Sequence, residues 1–218
     1  MNSTSDKILA AALSVFTERG YETATMHEIR SRAGVSNGSL FHFFPTKQDI
    51  AGALFAAGIA SYQQSMAETL RLYEADAEGG IRAVVRFHLK WIESHGNLAP
   101  FVFDRGRLDW SPEYGATIQT ANGSLQEMVA RWAQPHINGG RLKAMPPATF
   151  FACLIGPAQM ICRYWLAGKS EAGPSQWASV LGEAAWTALA QPPDLDELPE
   201  VYPSLQYPAW TAHSWMQS

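Results

Sequence analysis

The chain has 218 residues, 47% of them apolar, and a formal net charge of −4. No apolar run approaches the roughly 18 residues of a membrane span, and the opening MNSTSDKILAAAL lacks a basic secretory start, so the cytoplasm is the expected compartment. The acidic balance excludes a binder that grips nucleic acid through bulk positive charge. The length suits a small N-terminal module packed on one larger body.

Residues 5–19 read as the first helix, since Ile8, Leu9, Ala12, Leu13 and Phe16 recur at helical spacing and Gly20 ends it. Tyr21 is placed to close a small core between this helix and the next stretch. From Thr25 to Lys47 the sequence runs TMHEIRSRAGVSNGSLFHFFPTK. Thr25 is a good N-cap, and Glu28 three residues later completes a capping box. Ile29 and Ala33 give this short helix its apolar face, and Gly34 can take the left-handed conformation that ends it. Val35 fills the corner, and Ser36 caps a second short helix that turns Leu40 and Phe43 inward. Pro45 stops that helix, and Thr46 with Asp49 opens the next. Two helices of about two turns joined through a glycine-containing turn form a helix-turn-helix.

The outward face of the second helix carries Asn37, Gly38, Ser39, Phe41 and His42, with no long charged residue among them. Small polar residues at a helix start let its backbone approach another surface closely, as a DNA major groove requires. Lys47 opposes the dipole of the helix it begins, which suggests an anion shared by its ammonium and free backbone N–H groups. Taken alone, Lys47 is equally well read as a solvated surface residue.

This stretch resembles the DNA-binding domain of the tetracycline-repressor (TetR) family of transcriptional regulators, over residues 7–54. The resemblance implies an all-α chain of nine helices, a homodimer, and a ligand pocket in the C-terminal body. It places the contacts to double-stranded DNA on Thr25, His27, Ser36, Asn37, Gly38, Ser39, Phe41, His42 and Lys47. Phe41 departs from the family, which usually has Tyr there; the phosphate-reaching hydroxyl is absent, and His42 is the candidate to replace it. Residues 1–50 balance five Lys/Arg against five Asp/Glu. Docking on DNA then depends on local placement of Arg30, Arg32 and Lys47, with the acids turned away.

A long helix follows from Thr46 to about Glu74, carrying Ile50, Leu54, Tyr62, Met66 and Leu70 near one side. It begins at the module and ends in the body, so it is read as the one element that can carry a signal between them. Gly52 and Gly58 mark either close packing or a bend. A helix to His95 follows Gly79 and Gly80, then an irregular segment, Ala99 to Trp110, rich in Phe, Asp and Arg. Another helix is predicted from Pro112 to Ala133, ending before Pro135. The helix from Ala148 to Leu166 is apolar nearly all round and must be covered on several sides. With a last helix from Ser175 to Leu189 it suits a four-helix bundle with a second copy, presenting two recognition helices roughly 34 Å apart to a near-palindromic operator. Pro157 should kink the apolar helix. Cys153 and Cys162 lie on opposite sides of it, so they cannot pair within that helix, and buried reduced thiols are expected. From Gln191 to Ser218 five prolines exclude regular structure, while Tyr202, Tyr207, Trp210 and Trp215 suit an extended arm lying on the body or the partner.

These readings divide the chain into a helix-turn-helix domain at 1–50, a ligand-binding and dimerisation domain at 51–190, and the arm at 191–218. The body's aromatic surplus suggests a pocket for a bulky, largely apolar small-molecule effector, with Trp91, Phe101, Phe103, Trp110, Trp132, Phe151, Met160 and Trp165 as wall candidates. His88, Glu93, Asp104, Arg105, Arg107, Asp109 and Gln159 could orient it. No nucleophile elbow, zinc-protease motif, P-loop or dinucleotide fingerprint occurs, and the histidines lack metal-ligand spacing, so neither an enzyme nor a cofactor or metal is expected. The leading function is a ligand-responsive repressor that releases its operator when the effector binds. The alternative is a small-molecule or protein-partner module whose DNA heads no longer act, an idea drawn from Phe41 and the neutral N-terminal charge.

Overall fold

A computed structural model describes residues 3–103 and 112–192. Among them nine α-helices and no β-strand are found; a single isolated bridge joins Leu142 to Ala190. The helices are α1 (Thr4–Arg19), α2 (Met26–Ala33), α3 (Asn37–Phe43), α4 (Lys47–Leu72), α5 (Ala77–Ser94), α6 (Ala99–Phe103), α7 (Pro112–Asn138), α8 (Pro147–Leu166) and α9 (Ala178–Leu189). Among the described residues no helix is long and apolar enough to cross a membrane.

The starts of the N-terminal helices follow from capping chemistry. Capping boxes at Ser3/Asp6, Thr25/Glu28 and Thr46/Asp49 open α1, α2 and α4, and Ser36 alone caps α3. Gly34, at φ +66°, ends α2 and donates its N–H to the carbonyls of Arg30 and Ser31. A glycine there avoids the steric cost that a Cβ meets in the left-handed region.

Two apolar cores result, and they meet inside α4. The first gathers Ile8, Phe16, Ile29, Leu40, Ile50 and Leu54 with their neighbours; the second begins at Phe55 and fills the body. α5 is central to the body, packing on α4, α8 and α9. Its stripe of Ile81, Val84, Val85, Leu89 and Ile92 is fully buried, as the 3.6-residue period requires.

Several expectations are corrected. Phe43 is 45% exposed, and Phe44 is the residue buried beneath α3. The helix ends at Phe43, and Phe44 has extended backbone angles (φ −139°, ψ 94°) that turn its ring back to the core. α7 runs past Pro135 to Asn138 instead of stopping at Ala133. The carbonyl that Pro135 leaves without a helical donor belongs to Arg131, and both residues are exposed, so water can satisfy it. The segment after Gly96 is a short helix, α6, as far as Phe103. The last helix is preceded by a 3-10 turn at Pro174–Trp177. Gly58 marks close packing: a Cβ there would lie 2.6 Å from Val102 Cγ2 and 3.3 Å from Leu98 on α6.

α6 also overturns the view of α4 as the sole link between module and body. Phe101 is 8% exposed and packs in the N-terminal core, its ring centroid 5.5 Å from that of Phe16. Cys153 is half-buried and Cys162 buried, both as free thiols. Burial, with Glu93 adding, pushes the Cys162 thiol up to about 12, so it stays protonated and unreactive. Trp110, Asp104, Arg105, Arg107, Asp109 and the arm from Pro193 onward lie outside the described residues.

Candidate nucleic-acid interface and effector cavity

On α3, Asn37, Gly38, Phe41 and His42 are exposed and Ser39 is half-buried. Ser36 Oγ accepts the Ser39 N–H at 3.1 Å and donates to Ser39 Oγ at 3.0 Å, which fixes the first turn. Gly38 has no internal explanation. A Cβ there would meet only Ser36 Oγ, at 4.0 Å, although Gly in a helix costs about 1 kcal/mol relative to Ala. His27 and Thr25 are exposed on the same module, and Thr25 Oγ1 donates to Glu28 Oε2 at 2.9 Å.

The anion site expected at the start of α4 takes another form. The Asp49 carboxylate already sits there, accepting from Thr46 N–H at 2.8 Å and Thr46 Oγ1 at 2.7 Å, and the Asp49 N–H is taken by Thr46 Oγ1. Lys47 Nζ reaches back to the loop between α1 and α2. There it donates to the carbonyls of Tyr21 (2.7 Å), Glu22 (2.9 Å) and Ala24 (3.1 Å), 4.6 Å from the centroid of the Tyr21 ring. Its three protons are therefore engaged within the fold, and Lys47 acts as a brace. Arg32 is also committed, to Glu18 and Ser14, and Arg19 pairs with Glu28 at 3.3 Å. No described acid pairs with Arg30. Such exposed pairs contribute little stability, typically 0–1 kcal/mol, but they hold these cations away from other anions.

In the body a cavity of about 250 Å³ opens between α4, α5, α6, α7 and α8. Phe103, Phe151, Leu125 and Ile155 form its apolar wall; Tyr62, His88, Asn122, Gln159 and Arg163 bring polar groups. The other aromatic candidates lie elsewhere. Trp91 is buried behind the cavity, edge-on to Tyr62 and Phe103 and stacked on His95 at 4.3 Å. Phe101 belongs to the N-terminal core. Trp132 packs over Gly80 and donates to the Tyr73 carbonyl at 3.1 Å, and Trp165 lies against Gly96. Met160 is 54% exposed on the outer face of α8. Tyr62 is absent from the sequence-derived list because it reads as one more apolar position of a long helix. The available signal was its partner, since His88 interrupts the otherwise apolar stripe of α5.

Tyr62 and His88 are both fully buried, and the phenol oxygen lies 2.8 Å from His88 Nδ1. Burial pushes His88 down to about 4, with the Gln159 carboxamide opposing. The unfolded chain therefore takes up a proton on this residue near pH 6.5, whereas the folded chain does not until about pH 4. Stability from the neutral ring is complete above pH 6.5 and is lost as pH falls from there toward 4, by up to about 3 kcal/mol. Urea melts of wild type and His88→Phe at pH 7.5, 6 and 4.5 should show a slope in wild type that the variant lacks; parallel losses would refute this.

Residues 8–54 match the model of bacterial regulatory proteins, tetR family. Over 137 residues the chain is 33% identical to the HTH-type transcriptional repressor AcnR of Corynebacterium diphtheriae, covering 63% of this chain and 67% of that protein. It is 29% identical over 93 residues to the fatty acid metabolism regulator protein of Bacillus subtilis, covering 43% and 47% of the two chains, so it spans about half the length of that relative. Its fold is similar to that of the transcriptional regulator FadR of Bacillus subtilis solved in complex with stearoyl-CoA, with a TM-score of 0.72, 20% identity, and coverage of 83% and 97%.

Proposed function

Since the chain belongs to the TetR family of bacterial regulatory proteins, we propose that it is a ligand-responsive transcriptional regulator, acting as a repressor that leaves a palindromic operator when a small apolar effector fills the body cavity. The observation that carries this reading is Gly38 on the exposed face of α3. The fold itself has room for a side chain there, so the missing Cβ serves an external surface that must come close. The flanking Asn37, Ser39 and His27 are suited to base edges, and Thr25, His42 and the uncommitted Arg30 to phosphates. Lys47 holds the module in shape from behind.

Dimerisation is part of the same proposal. Met160, Tyr164, Trp177 and Val180 are 54%, 52%, 45% and 64% exposed along α8, the 3-10 turn and α9. A second copy packing its own α8 and α9 on this face would cover them, as a self-complementary two-fold interface does. The effector acts by its difference in affinity between the bound and released arrangements of the two heads.

The experiment is a gel shift of the full chain against the DNA flanking its own gene. Asn37→Ala should change the preferred base at one position of each half-site by about 1–3 kcal/mol. Arg30→Ala should weaken all sequences alike and reduce the salt slope by about one. Identical behaviour of the two variants across a panel of operators would refute this assignment of roles. The rival reading, an interaction module whose heads no longer grip DNA, draws on the internal commitments of Arg19, Arg32 and Lys47; absence of any shift would favour it.

A further inference from the structure

The Tyr62–His88 pair specifies what the cavity accepts. One proton lies between the phenol oxygen and Nδ1, 2.8 Å apart. If Nδ1 carried it, the phenolic hydrogen would need an acceptor of its own, and Tyr62 OH, fully buried, has none among the described residues. The arrangement that satisfies both groups has Tyr62 O–H donating to an unprotonated Nδ1. A neutral imidazole with a bare Nδ1 carries its hydrogen on Nε2. Burial keeps the phenol protonated, well above the ordinary tyrosine range, and the imidazole neutral, which is the state this assignment requires.

His88 Nε2–H is thus a buried donor of fixed direction, and it has no hydrogen-bond partner. Buried polar groups in native proteins are rarely left so, and one on a cavity wall points to a guest. The size of the space narrows the guest further. A cavity of about 150 Å³ admits benzene, and sites for drug-sized ligands begin at roughly 300 Å³; this one holds about 250 Å³.

Building on the reading of the cavity as the effector site, we propose that the effector is a compact, largely apolar molecule, about the size of one substituted ring, that presents an oxygen acceptor to His88 Nε2–H. Phe103, Phe151, Leu125 and Ile155 contact its apolar part, and the Gln159 carboxamide lies beside the polar end.

The test compares acetophenone with ethylbenzene, which differ by one carbonyl, by calorimetric titration and thermal melting of the full chain, with stearoyl-CoA as a long-chain control. Acetophenone should bind at least about tenfold more tightly than ethylbenzene, and His88→Phe should bind the two alike. Long-range proton–nitrogen spectra of the unliganded wild type should place the His88 proton on Nε2, a readout that survives if the variant fails to fold. Equal affinity for the two probes, a proton on Nδ1, or a preference retained in His88→Phe overturns the proposal. So does binding of neither probe at millimolar concentration, whether the cavity holds only an ordered water or stearoyl-CoA binds instead. If stearoyl-CoA then releases operator DNA in the gel shift, ligand-controlled repression stands and only the effector class falls.

Discussion

Replacing Tyr164 and Val180 together by Asp should convert the protein to a monomer and weaken operator binding by two to four orders of magnitude. Both side chains are more than half exposed, on α8 and α9, so an Asp at either position disturbs no packing within the chain. Surface changes of this kind usually alter stability by no more than about 0.5 kcal/mol. In a two-fold interface, however, each substitution occurs twice and buries four carboxylates against an apolar partner face. The DNA consequence follows from linkage. With one head seated, the second meets its half-site at a local concentration set by the body, and such coupling raises affinity on the order of 10²–10⁴ over a single head. Losing the dimer removes that factor while leaving each head intact. Sedimentation velocity at micromolar concentration should show one smaller species with an unchanged helical spectrum. Gel shifts should show the variant binding a full palindrome no better than an isolated half-site. A variant that remains dimeric and binds the palindrome normally would place the interface elsewhere.

The reach of sequence reasoning in this protein follows the range of the interactions involved. Capping boxes, the left-handed Gly34 and the apolar stripe of α5 rest on residues three or four apart, and they were legible. Errors arose wherever a side chain chose between two neighbourhoods. Phe43 and Phe44 are equally apolar, and only the extended backbone after α3 decides which one faces inward. Lys47 looked like an anion ligand because its own helix start was considered, whereas its partners are carbonyls more than twenty residues earlier. Among the aromatic residues of the body, composition signalled a cavity but could not say which rings face it. Of the candidates, Phe103 and Phe151 line it, and Phe101, two residues from Phe103, belongs to the other core.

That last separation gives the second large effect: Phe101→Ala should destabilise the protein by about 3–5 kcal/mol and uncouple effector binding from DNA release. The stability loss is the usual result of emptying a buried phenylalanine site. The coupling argument rests on α6 itself. Successive residues of a helix are about 100° apart, so Phe101 and Phe103 leave it on nearly opposite sides. Phe103 packs against Tyr62, His88 and Trp91, with ring centroids 5.1, 5.4 and 5.9 Å away, on the cavity wall. Phe101 packs against Phe16 of α1. A guest that displaces Phe103 therefore moves a five-residue helix whose other face is seated in the N-terminal module. Truncating Phe101 breaks this route and leaves the cavity wall in place; α4, still continuous, is the remaining connection. Affinity of the cavity for a bound probe should then be unchanged, while the factor by which that probe weakens operator binding should fall toward one, a reciprocal quantity measurable from either ligand. Phe101→Leu, which keeps most of the volume, should recover much of both stability and coupling. An undiminished coupling factor in Phe101→Ala would assign the signal to α4 alone.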